Sequence, residues 1–518
     1  MFRQRELVFR PAIVLIAVAI LCAEGVTEDD PTGSHAAVSS GEDREQLLDR
    51  QLRRMLQEVE FTGRVESTLE RRLGRPLDPN LSNLGRLLWF DVSGGLHDDN
   101  TCGGCHSPTN GMGDTQPIAI GIQNNNHVGE NRSGPRNQRR TPAAANSAFY
   151  PKLMWNGRFS ATSGDPFDNS RGFSFPPPEG TMKFLPNDPI ITHLLIAQAH
   201  MPPTELIKIT KFTGTTGTIG PRFDAFDDGK GGVVPPPDSS GFRNEPIRRA
   251  VLDRLNSNPK FRALFGQVYP SVAAGGAIDF THFARAITEF EFMLTFADAP
   301  LDRFARGDRH AMTRREKKGA VLFFGKAGCV ACHSVSGKSN EMFSDFQMHV
   351  AGVPQVAPFF GVAKGNVIFD GPNEDEDFGL EEITGNPEDR YKFRTSPLRN
   401  APLQAAFFHN GAFTRLDDAI RYHLNAPASA RSYDPIAAGL PDDLTYRLGP
   451  VESMLAKIDP RLKDPVILSE DEFRSLVDFV GHGLLDVRAK KQSLCRLVPA
   501  SVPSGLHTMQ FEGCPPQK

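Results

Sequence analysis

The spacing of apolar positions predicts a chain built mainly of helices. Apolar residues recur every three to four positions over 44–61, 246–266, 278–296 and 470–485, the period that turns one face of an α-helix to a core. The last of these opens on Ser469-Glu470-Asp471-Glu472. A serine and a glutamate three residues apart satisfy each other's backbone donors at a helix start. Two shorter patterns match one another: Gly85-Arg-Leu-Leu88-Trp89-Phe90 and Gly319-Ala-Val-Leu322-Phe323-Phe324 place glycine, leucine and an aromatic pair at equal offsets. Both read as short helices. Alternating strand patterns are scarce. Residues 157–190 and 212–245 hold no sustained period and read as long irregular stretches, the second containing GTTGTIG and GGVVPPPDSSG.

The first apolar run, Pro11 to Ala23, follows Arg3, Arg5 and Arg10. It is shorter than the roughly 20 residues that a membrane-spanning helix needs. With the small-residue exit Ala23-Glu24-Gly25 it reads as a secretory signal over 1–25. An uncleaved anchor and a lipid-modified Cys22 are the alternatives. Residues 26–43 read as a linker.

Composition narrows the classes. Of 518 residues 39% are hydrophobic and 23% charged, which excludes a disordered chain and a polytopic membrane protein. A net charge of −4 gives no support to nucleic-acid binding. The aromatics are uneven, with Phe 37, Tyr 6 and Trp 2, so each tryptophan is of interest.

Cysteines carry the candidate chemistry. Without Cys22 they fall as Cys102/Cys105, Cys329/Cys332 and Cys495/Cys514. The first two pairs read Cys102-Gly-Gly-Cys105-His106 and Cys329-Val-Ala-Cys332-His333. Cys-x-x-Cys-His is the attachment pattern of c-type haem. Two thiols bond one edge of the porphyrin, and the next residue turns an imidazole onto the iron. A thioredoxin-like pair would need a βαβ surround, which neither copy has. A zinc knuckle would need the two pairs close together in the chain. Two covalent haem c groups are therefore expected. In an exported chain the third pair reads as a disulfide. The result is a mainly α protein with two cytochrome c-type haem domains, 44–300 and 301–488, long irregular loops, and a disulfide-closed tail over 489–518.

Over about residues 66–488 the chain resembles the bacterial dihaem cytochrome c peroxidases and their MauG-like relatives. The resemblance rests on LGRLLWFD before TCGGCHSP, on MWNGR (154–158), and on GCVACHS, GVPQVAP (352–358), FRTSPLRNAPL (393–403) and FFHNGAF (407–413). It implies two helical haem domains facing a seam. The first haem would react with peroxide, and the second would relay electrons from an outside donor. His106 and His333 are the proximal ligands by motif. Counting from Asn410-Gly411, the sixth ligand of the second haem falls on His423, with Tyr422, Met348 and His349 as alternatives. Imidazole in place of thioether lowers that haem's potential.

The resemblance also implies a distal acid–base pair. The stretch from Ala197 through Gln198 to Glu205 resembles the distal loop, with Glu205 as catalytic carboxylate and Gln198 as second distal group. A carboxylic acid in an apolar pocket has a raised pKa suited to moving a proton between peroxide oxygens. Glu205 also reads as an ordinary helix-cap residue, and His200 is a rival shuttle. Trp155 matches the tryptophan between the haems, with core packing as the plain alternative; Trp89 reads as structural.

Two positions depart from the family. Ca²⁺ is often held between the domains, but here Arg140 stands at the asparagine position and Gln404-Ala405-Ala406 where carbonyls are supplied. An arginine cation in place of the metal argues against Ca²⁺. Ile122 stands where several members carry a distal histidine, so an always-open first site is expected, with His127 the nearest substitute.

The resemblance implies hydrogen peroxide as substrate, a small cytochrome c or cupredoxin as electron donor, a periplasmic location and a homodimer. The carboxylate-rich run from Asp370 to Asp389 reads as a solvated loop or as a steering surface for a basic donor. Three functions remain distinct at this point: a peroxidase, a MauG-like oxidase or oxygenase acting on a protein or organic substrate, and a non-catalytic electron carrier or redox sensor.

Overall fold

A computed structural model describes residues 41–96, 98–121, 124–204, 235, 238–240, 242, 244–358 and 369–515. The expected signal 1–25, nearly all of the linker, Ile122, Glu205 and most of the stretch 212–245 lie outside these residues. Among the described residues no helix is long and apolar enough to cross a membrane.

The architecture is mainly helical. Eight helices of eight or more residues are described: α1 Gly41–Glu58, α2 Pro79–Phe90, α3 Asn244–Ser257, α4 Pro259–Val268, α5 Phe280–Met293, α6 Arg314–Phe324, α7 Leu416–Leu424 and α8 Glu470–Asp478. Their starts are chemically marked. Asp78 caps α2 by accepting from the backbone N–H of Asn80 and Leu81, with Pro79 at the first helical position. Reciprocal capping boxes open α5 (Asp279 with His282), α6 (Thr313 with Glu316) and α8 (Ser469 with Glu472). The expected helix 246–266 is two helices. Asn258 caps the second, and Pro259, which has no N–H to donate, starts it. The pattern over 470–485 likewise ends its α-helix at Asp478 and continues as a π-helical turn, Phe479–Gly483.

The repeated glycine motif has a packing reason. A Cβ on Gly85 would lie 1.8 Å from the Ala286 carbonyl oxygen, and one on Gly319 would lie 1.9 Å from that of Ser475. Each glycine lets the helix before a haem motif press its backbone onto a partner, α2 on α5 and α6 on α8. The apolar core follows the same duplication. One cluster joins α2, α4, α5 and the loops between them (Leu84, Leu88, Trp89, Phe149, Phe265, Phe290). A second joins α1, α6 and α8 (Leu52, Leu56, Phe323, Leu476, Phe479). A third gathers residues 353–458, including Val356, Phe413 and Tyr422, with Ile118 and Ile247.

Strands are two or three residues long. The expected irregular stretch 157–190 is more ordered than its pattern implied. Lys152–Leu153, Phe159–Ala161 and Phe173–Ser174 form a three-stranded antiparallel sheet, and Phe159, Phe175 and Phe184 stack beneath it. Its apolar residues are spaced for short turns rather than for one long strand, which hides them from a periodicity search. The tail returns to the first haem motif: Gln510–Phe511 pairs in parallel with His127–Val128, and Cys495 is joined to Cys514.

Candidate active site

Each Cys-x-x-Cys-His motif forms one helical turn. The His106 N–H donates to the Cys102 carbonyl at 2.8 Å, and the His333 N–H to that of Cys329 at 2.9 Å. A single turn brings residues i and i+3 to one side and carries the imidazole at i+4 beneath them. None of the four motif cysteines forms a disulfide. Close packing keeps the first loop small: a Cβ on Gly103 would meet the Phe90 ring at 2.7 Å, and one on Gly104 the Met509 sulfur at 2.8 Å.

The surroundings of the two histidines differ. His333 faces His423, their ring centroids 6.1 Å apart and their planes at 66°. Two metal–nitrogen bonds of about 2 Å and a ring radius of about 1 Å on each side put trans imidazoles about 6 Å apart, centroid to centroid. His333 Nδ1 lies 3.0 Å from the Phe343 carbonyl and His423 Nδ1 2.8 Å from that of Ala419. A carbonyl only accepts, so both Nδ1 atoms carry the proton and both Nε2 atoms keep a lone pair. This is how metal-binding histidines are usually oriented. Burial lowers the His333 pKa to about 4, helped by His423, and lowers that of His423 as well, so both rings are neutral.

The other candidates for that position are engaged elsewhere. Tyr422 donates its hydroxyl to the Gly352 and Ala351 carbonyls. His349 lies between Asp345 and Asp459, 2.9 Å and 2.8 Å away. The Met348 sulfur lies against Gly157.

His106 instead borders two cavities. Gln198, Pro202 and Glu291 line both, and Trp155 lines the second. Among the described residues no histidine besides His106 lines either. His127 is held on the tail strand, its Nδ1 3.3 Å from Glu512. His200 donates through Nδ1 to the Ile196 carbonyl between the rings of Phe184 and Phe280, with its pKa pushed down by burial to about 4. It borders neither cavity, so the structure offers no support to a shuttle there. Trp155 is buried and donates its indole N–H to the Arg140 carbonyl at 2.9 Å. Gln198 closes the short helix Leu194–Gln198. Trp89 packs between His106 and Phe290, as a structural residue would.

Two further residues belong to this site, and sequence reading passed over both. Glu291 lies in the apolar run of α5 and is 6% exposed. Its Oε2 has no hydrogen-bond partner among the described residues, and burial pushes its pKa up to about 8. An acid at a core-facing helical position was the available signal. Arg394 is buried beside Trp155, its guanidinium 6.0 Å from the indole ring, and no carboxylate pairs with it among the described residues. Burial lowers its pKa to about 10.

At least five of the nine carboxylates between Asp370 and Asp389 are paired within the fold. Asp377 and Glu382 bind Arg139, Glu381 binds Arg390, Asp389 binds Lys392 and Glu376 accepts from Tyr391. At the position where the resemblance puts Ca²⁺, the Arg140 guanidinium donates to the Ala406 carbonyl and to Gln404 Oε1.

These residues fit two haem groups. The thiols are unoxidised and correctly spaced, one imidazole pair has the separation an iron requires, and the other imidazole opens on a cavity. A haem-dependent oxidoreductase is the class that such an asymmetry defines. Residues 79–310 match the family described as di-haem cytochrome c peroxidase. Cytochrome c551 peroxidase of Pseudomonas aeruginosa is 23% identical over 399 residues, covering 77% of this chain and 85% of that one. The methylamine utilization protein MauG of Methylorubrum extorquens is 24% identical over 349 residues, covering 67% and 70%. A crystal structure of a MauG-like protein associated with microbial copper homeostasis superposes with a TM-score of 0.50 at 19% identity, covering 80% of this chain and 92% of that one. That last likeness is one of fold.

Proposed function

We propose that this protein is a periplasmic dihaem c-type peroxidase that reduces hydrogen peroxide to water, taking electrons from a small cytochrome c or cupredoxin. The observation that carries the reading is the asymmetry of the two motif histidines. His333 has His423 facing it at ligand spacing, whereas His106 opens on cavities that no second histidine among the described residues lines. In this reading two cytochrome c-type domains each hold one haem, through Cys102, Cys105 and His106 and through Cys329, Cys332, His333 and His423. Haem, once bound, supplies the redox chemistry at an open first iron and the electron storage at a closed second one.

The chain's own residues do the rest. Gln198 orients peroxide by hydrogen bonding in the first cavity. Glu205 holds the proton that must pass from one peroxide oxygen to the other; this role rests on the family resemblance alone. Trp155, on the cavity wall beside His106, relays electrons between the two sites. The buried walls exclude water and raise the effect of each polar group.

Steady-state turnover of hydrogen peroxide with a reduced small cytochrome tests the reading. Consumption of two reduced donors per peroxide supports it. Turnover only when a protein or organic substrate is oxidised would overturn it in favour of a MauG-like oxidase. A cavity beside His106 with no second histidine argues against a pure electron carrier.

A further inference from the structure

Trp155 is held by the backbone on two sides. Its indole N–H donates to the Arg140 carbonyl at 2.9 Å, and its own carbonyl accepts from the Arg394 N–H at 2.8 Å. Arg140 is itself buried, and its other hydrogen bonds lead to the segment 404–409. Its backbone N–H donates to the His409 carbonyl at 2.8 Å. Its guanidinium donates to the Ala406 carbonyl and, at 3.3 Å, to Gln404 Oε1. The Gln404 amide in turn donates to the Asn110 carbonyl at 3.1 Å, in the turn that follows His106.

The far end of this segment reaches the second site. Phe408 precedes His409 and stacks on the His423 ring, with centroids 5.1 Å apart and planes at 22°. One arginine therefore joins the indole, the turn after the first motif histidine and the segment that packs on the facing histidine of the second. Its countercharge is Asp114, which is buried and accepts from the Thr141 and Gln116 N–H groups. Arg140 is thus fixed from both directions, and a shorter or apolar side chain would release the 404–409 segment.

We propose that Arg140 is a positioning residue for electron transfer, setting the geometry of Trp155 relative to the second site. This rests on the reading that Trp155 is the relay. The transfer rate depends steeply on the relative placement of relay and acceptor, so a small displacement suffices to slow it.

The test uses the two-haem protein, half-reduced and loaded with carbon monoxide. Photolysis starts electron redistribution between the sites, which is followed optically without turnover. Arg140→Met is expected to slow redistribution at least tenfold while both haem spectra stay at their wild-type values. Arg140→Lys, which keeps one donor, should recover part of the rate. Trp155→Phe should slow it comparably, and the double variant should be no slower than Trp155→Phe alone, because both changes break one link. Rates within twofold of wild type in Arg140→Met, or multiplicative slowing in the double variant, would overturn the proposal. If Trp155→Phe itself leaves the rate unchanged, it is the relay reading that falls. Gln404→Leu, which breaks the link from Arg140 to the Asn110 carbonyl, serves if Arg140→Met does not fold; an unchanged rate there counts against the proposal in the same way.

Discussion

Replacing Glu291 by Gln should stabilise the protein at neutral pH and leave it nearly unchanged in acid. The side chain is buried in α5, with Oε2 unpaired among the described residues. Burial raises its pKa from an ordinary value of 4.5 to about 8. The unfolded chain releases the proton near 4.5, while the folded chain keeps it to about 8. Between those values the unfolded state binds fewer protons, so stability falls as pH rises, by at most about 1.4 kcal/mol per unit. At pH 7 the accumulated loss is about 3 kcal/mol, and it levels off above the folded pKa. Glutamine carries no such penalty and keeps nearly the same shape. Urea unfolding of the wild type and the variant at pH 4.5, 6, 7 and 8.5 measures the difference. It should be small at pH 4.5, grow through pH 7 and then flatten. A difference that does not change with pH would refute the reasoning, because Glu291 would then ionise as an ordinary solvated acid.

Three other outcomes follow from the packing and the ligand geometry. Alanine at Gly85 or Gly319 drives a methyl group into a helix backbone at 1.8 Å or 1.9 Å, and each should cost about 1–3 kcal/mol or more by chemical unfolding; wild-type midpoints would contradict the close approach. Arg399 pairs with Asp302 through two bonds of 2.7 Å and 2.8 Å, both side chains buried. Arg399→Met strands the carboxylate and should lose about 3–5 kcal/mol, measured in the same way. His423→Met should raise the potential of the second haem and replace its bis-imidazole spectrum, followed by spectroelectrochemistry; an unaltered spectrum would remove His423 from the ligand set.

Much of this site was legible in the sequence because its chemistry is local. Each Cys-x-x-Cys-His motif closes within one helical turn, and the capping box at Ser469 needs only its own side chains and Glu472. The matching glycines 85 and 319 could be noticed in the chain, but their purpose could not. The carbonyls they approach, at Ala286 and Ser475, lie far along the sequence. His423 was reached by counting from a resemblance, and the structure adds its distance to His333 and the carbonyl that orients it. Glu291 and Arg394 were missed because apolar periodicity averages over single polar residues. Only the assembled cavity shows that, among the described residues, Glu291 Oε2 has no hydrogen-bond partner and Arg394 no carboxylate. The pairing of the acidic run was hidden for a similar reason: Arg139, Arg390 and Lys392 neutralise much of it, and Arg139 does so from a distant part of the chain.

The asymmetry of His106 and His333 carries the account, and low-temperature EPR of the haem-loaded, fully oxidised protein tests it most directly. The account predicts a high-spin ferric signal from an open first haem beside a low-spin bis-imidazole signal from the second. Two low-spin signals and no high-spin signal from the oxidised protein would contradict it, since neither iron would then be free to meet peroxide.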